Sequence, residues 1–142
     1  MSDEKKDQQP EKKKIRINPV EFAMFCDHAS VSMDGKLSLN GIFDRLFAKE
    51  VPVTHTQMFI VSKLILPPGD HKVTFSLMQQ DSVLSKASLE KKTDKLGVHT
   101  HFWNVKNLKI DSWEPIELQI LIGGKQIYVK RMPIVKAEEK KK

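Results

Sequence analysis

The stretch IELQILIGGKQIYVKRMPIV, residues 116–135, decides the fold. Its first part alternates: Leu118, Ile120 and Ile122 share one face while Glu117, Gln119 and Leu121 share the other, the period of two of a half-buried strand. Gly123 and Gly124 then break the run, and without a Cβ both tolerate the positive φ of a tight turn. A second strand-like run, 126–135, follows. The spacing predicts a β-hairpin.

Working outward, turn signals recur at short spacing: MDGK at 33–36, VP at 51–52, PPGD at 67–70 and QDS at 80–82. They divide the chain into strand-sized pieces at 20–31, 37–47, 57–66, 71–79, 83–89 and 98–110, and Gly35 predicts a second hairpin between the first two. The segment 82–96, SVLSKASLEKKTDKL, also fits a short helix stopped by Gly97, but a strand followed by a charged loop is preferred. About eight short strands with few helical stretches indicate an all-β fold. The expected architecture is a single two-layer antiparallel β-sandwich, with a closed barrel as the less favoured form.

The 142 residues suffice for one hydrophobic core, and 39% hydrophobic with 30% charged residues is a globular balance rather than a disordered or fibrous one. Residues 1–14 have no apolar side chain after Met1, and 136–142, KAEEKKK, are nearly as poor. Both are expected to be disordered charged tails flanking a sandwich domain at 15–135, since they bury too little to offset ordering entropy. No apolar run approaches the roughly 18 residues that cross a bilayer, and MSDEKKDQQPEKKK offers no secretory signal. With the lone Cys26 unable to form an internal disulfide, a cytoplasmic protein is expected.

The residues FAMFCDHASVSMDGKLSLNGIFDRL, 22–46, meet the pattern FxxxCDxAxxxxxGKLSxxGIFDxI through Phe22, Cys26, Asp27, Ala29, Gly35, Lys36, Leu37, Ser38, Gly41, Ile42, Phe43 and Asp44. This resembles the opening hairpin of an uncharacterised bacterial family of small β-sandwich domains. The C-terminal half resembles the same family in NLKI, a strand, a glycine turn and a last strand ending in PIV. Where that family has Gly-x-Tyr before the penultimate strand, this chain has Glu114, Pro115 and Ile116. The resemblance spans about residues 20–135, implies a sandwich in a bacterial cytoplasm, and supplies no activity.

Candidate sites are few. His99 and His101 leave a strand on one face, where two imidazoles can share a metal ion, but two ligands do not make a site and a polar sheet face is the simpler reading. Cys26, Asp27 and His28 are residue types of a thiol nucleophile and its base, yet strand neighbours point to opposite faces, and Phe22, Met24 and Cys26 together make Cys26 a small core residue. Asp27, Asp34 and Asp44 surround the first hairpin, although Asp34 in MDGK is explained by its turn. No phosphate-binding glycine loop, GxSxG, HExxH or paired CxxC occurs, so no catalytic residue, cofactor or metal is assigned. Phe43, Phe47, Phe59, Phe75 and Tyr128 are read as sandwich core, and Phe102 and Trp103, being adjacent, as facing opposite ways. Trp113, in the expected loop DSWEP, is the one surface aromatic that is a candidate binding contact, with packing over the sheet end as the simpler reading.

The net charge of +6 raises a nucleic-acid reading, but the charge is thinly spread: five Lys face four acids in 1–14, four face two in 136–142, and 15 Lys and Arg face 12 acids between. The expected function is a non-catalytic binding or structural-interaction module that offers loops or an edge strand to a protein partner, with homo-oligomers through edge strands compatible with it. Two alternatives are a carbohydrate or small-ligand binder using exposed Trp, and weak nucleic-acid association through the Lys-rich tails.

Overall fold

Alternating burial runs through the computed structural model, which describes residues 18–138 and contains strands but no helix among them. The strands are β1 (Val20–Val31), β2 (Leu37–Phe43), β3 (Leu46–Ala48), β4 (Val53–Leu66), β5 (Gly69–Gln79), β6 (Ser82–Thr93), β7 (Gly97–Ile110), β8 (Ile116–Ile122), β9 (Lys125–Met132) and β10 (Ile134–Lys136). Two antiparallel four-stranded sheets, ordered β2-β1-β4-β7 and β6-β5-β8-β9, face each other. The chain is therefore an all-β sandwich. The expected tail 1–14 lies outside the described residues, as does the end of the C-terminal one; none of the described residues forms a helix long and apolar enough to cross a membrane.

The two glycine turns close hairpins as their chemistry demands. Gly123 and Gly124 take φ of 61° and 81° between β8 and β9, and Gly35 takes 85° between β1 and β2. A third hairpin joins β5 to β6 through Gln80, whose φ is 52°. The prolines of PPGD do otherwise: β4 ends in the first sheet and β5 begins in the second, so this turn carries the chain across the sandwich. The ambiguous 82–96 segment is strand as far as Thr93, longer than composition suggested, because its whole length pairs with β5.

Two expected strands are each divided. Asp44 and Arg45 interrupt 37–47, and Pro133, lacking an N–H, interrupts 126–135; the short pieces β3 and β10 then pair in parallel as a separate ribbon. Lys136 pairs with Ala48, and the Ala137 amide donates to the Ala48 carbonyl, so the paired segment runs past the boundary drawn at 135.

The core lies between the sheets. Ala23 and Phe25 of β1, Ile60 and Leu64 of β4, Phe75 and Leu77 of β5, and Leu118 and Ile120 of β8 meet there. Burying each large apolar side chain stabilises the fold by about 1.5–3 kcal/mol before entropy is counted. On the open side between β9 and β1, the Lys130 ammonium reaches in, donates to the Ala23 carbonyl at 2.8 Å and stands 5.8 Å from the Phe25 ring centre.

One irregularity positions the site described next. Met58 pairs with Val105, and both are buried; His55 pairs with buried Leu108 with no slip of register. An odd step between inward positions means that β4 and β7 both exchange faces at Thr56–Gln57 and Lys106–Asn107, and Asn107 takes a φ of 55° there. His55 is thereby turned toward Phe43, with ring centres 6.3 Å apart.

Candidate functional site at the β1–β2 arm

β1 stays paired with β4 only as far as Cys26 opposite Phe59; beyond that its ladder is with β2 alone, so residues 27–41 form a two-stranded arm. The tip is closed by the Gly35 amide donating to the Ser32 carbonyl and the Lys36 amide to the Ser32 hydroxyl. Ser32 also donates to Asp34, whose carboxyl is held below its ordinary pKa by that bond. An isolated ribbon of this kind is marginally stable in water, so its apolar residues need cover. Part of that cover is a small cluster on the side of the first sheet turned away from the second, where Cys26, Ala29 and Val61 are buried against Phe22, Leu37, Leu39 and Phe59.

At the base of the arm, where β1 and β4 part, lies a groove of about 380 Å³. Buried Leu46 and half-buried Phe43 and His55 line it, with exposed Asp27, Arg45, Ile42 and Phe47 around them. Gly41 takes a φ of 68°, and a Cβ added there would collide with the Asp27 carboxylate, so glycine lets the acid lie across β2. Arg45 pairs with Asp44 at 3.0 Å, which lowers the Asp44 pKa. Ile42 is 58% exposed and Phe47 is 65% exposed. Apolar side chains in the open beside a groove with both charges at its mouth suit an apolar anchor from a protein surface.

Phe47 is not core, contrary to the sequence reading. β3 turns Leu46 and Ala48 inward, which leaves Phe47 outward, as Phe43 turning inward does to Ile42. The same adjacency rule used for Phe102 and Trp103 carries this signal. That pair divides as expected: Phe102 is exposed, and Trp103 packs on the core 6.2 Å from Phe75.

Other candidate residues are scattered. Cys26 is fully buried, but in the outer cluster rather than between the sheets, and burial raises its pKa and keeps the thiol protonated. Burial of the thiol makes it inert. His28 instead lies edge-on to Phe59, with ring centres 5.6 Å apart. Asp27, Asp34 and Asp44 do not assemble, and no group of three metal-binding side chains occurs among the described residues.

His99 and His101 do share a face, but it is the inward one, not a polar outer face. His101 stands opposite Ser62, which is 1% exposed, and ring Nε2 atoms of both histidines and the Ser62 hydroxyl have no hydrogen-bond partner among the described residues. Desolvation, with Lys91 and His99 adding to it, pushes the His101 pKa down to about 4.

Trp113 is 39% exposed on the loop between β7 and β8. Gln79, buried at the end of β5, holds this loop: its amide donates to the carbonyls of Ser112 and Glu114 and accepts from the Asp111 amide. Beside the loop a cavity of about 330 Å³ is lined by Gln80, Glu114, Pro115, Glu117 and Arg131. Glu117 is held ionised there by Gln119 and by Arg131 at 3.2 Å.

Comparison with known proteins identifies a family and is silent on activity. The model of a family of unknown function, DUF6941, matches residues 21–135. No curated protein matches the chain.

Proposed function

We propose, for a chain that belongs to DUF6941, a family of unknown function, that it is a non-catalytic protein-interaction module working through the β1–β2 arm and the groove at its base. The observation that carries this reading is the pair Ile42 and Phe47, both exposed beside a groove lined by Phe43, Leu46 and His55. Exposed apolar side chains around a concavity mark interaction sites, because water around them is released when a partner's side chain fills it. The reading includes a bacterial cytoplasmic setting, supported by Cys26 being the single cysteine and unpaired.

The test replaces Phe47 with a benzophenone amino acid and irradiates living source cells. Covalent adducts of discrete mass are expected at position 47, absent when the same group replaces Ser88 on β6 and lost when Ile42→Asp is added. Equal adducts at 47 and 88, or none at 47, would sink the proposal. A second reading, a carbohydrate or small-ligand binder, is supported by exposed Trp113 beside the Glu114-lined cavity. Quenching of Trp113 fluorescence by a sugar or metabolite panel separates the two, since groove binding leaves Trp113 untouched.

A further inference from the structure

The strands that end the two large sheets are unequally protected. β6 carries Lys86, Glu90, Lys91 and Lys92, β9 carries Lys125, Lys130 and Arg131, and β7 carries Lys106 and Lys109 beside Asn107 with its positive φ. Charges and local irregularities of this kind keep a free edge from pairing with another strand, because an approaching ladder must desolvate them. β2, LSLNGIF, has no charge and no proline along its seven residues. Exposed Ile42 lies on β2 itself, and exposed Val31 and Met33 lie at the tip of the same arm.

We propose that the free edge of β2 pairs antiparallel with β2 of a second copy of this chain, joining two four-stranded sheets into one across a two-fold axis. This deepens the reading of the arm as an interaction surface by naming what occupies its edge. Edge pairing needs a partner strand that is itself unguarded; β2 is uncharged over its whole length, whereas β7 is uncharged over 97–105 and carries Lys106 and Lys109 beyond. About a two-fold axis each unpaired N–H of β2 meets a C=O of the copy and each C=O an N–H, and no charge in the strand opposes its copy. Gly41, at a φ of 68°, bends the strand, so pairing falls on residues 37–40 and brings the two Ser38 residues close to the axis.

Sedimentation velocity on the full chain tests the pairing over a range of concentrations. The wild type should sediment with twice its 16.3 kDa mass. Ser38→Lys and Ser38→Glu, at an exposed position, should each keep the circular dichroism and melting of the wild type while weakening self-association about tenfold or more, because like charges then face each other. An equal mixture of the two should recover the dimer, and uncharged Ser38→Ala should retain it. A monomeric wild type, or a dimer as tight in Ser38→Lys as in the wild type, overturns the proposal. Running the position-47 capture on the Ser38→Lys protein reads partner binding separately, so loss of one result does not stand for loss of the other.

Discussion

His101 stands opposite Ser62 inside the sandwich, with Lys91 and His99 near it, and its pKa falls from 6.5 to about 4. Between those values the unfolded chain binds a proton that the folded chain does not. Stability is therefore complete above about pH 6.5 and is lost as pH falls through that window toward 4. Partial solvent access keeps the linked loss to about 2 kcal/mol. In His101→Leu the orphaned ring nitrogen is replaced by apolar volume, so urea midpoints at pH 7 and pH 4.5 should lie closer together than in the wild type. An unchanged pH dependence would assign the titration to another group. Sequence alone placed His99 and His101 on one face but could not say which, because alternation is blind to which side the second sheet covers.

The loop between β7 and β8 is an element held from outside itself. Three hydrogen bonds from one buried amide, that of Gln79, replace the ladder that Pro115 cannot join. Gln79→Ala should cost about 2–3 kcal/mol in denaturant unfolding, since it leaves two carbonyls and one amide to find water. In a Trp103→Phe background, where Trp113 alone emits, the same substitution should raise acrylamide quenching of an already red-shifted spectrum. A blue-shifted, protected Trp113 would make it a core residue. The loop and its tryptophan were legible in DSWEP; Gln79 was not, because its partners lie more than 30 residues away in sequence.

For the molecule as a whole, the +6 charge is dispersed along the sequence rather than gathered into one run, and β2 carries none of it. Any attraction to nucleic acid then rests on a few lysines acting through water. Binding to random-sequence DNA should be weak at low salt and fade by physiological salt, where the screening length is about 8 Å. Tight binding that persists at high salt in a filter or polarisation assay would contradict this and favour the nucleic-acid alternative. The two outer sheet faces also differ: Glu117, Gln119 and Lys86 face out from the second sheet, whereas Phe59 and Phe102 face out from the first.

What the sequence determined by itself was local. The period of two in 116–122, the glycines at 35, 123 and 124, and the turn residues of DSWEP act on their own φ and ψ or on neighbours two residues away, so hairpins and strand composition could be read directly. The tertiary structure decided everything that depends on which strands lie beside each other. It split 37–47 so that β3 could pair with β10, reversed the faces of β4 and β7 beside Asn107, buried Cys26 outside the main core and left Ile42 and Phe47 in the open. Alternation fixes which residues share a side, but burial is a property of what covers that side, and the covering strands are brought there by contacts far along the chain.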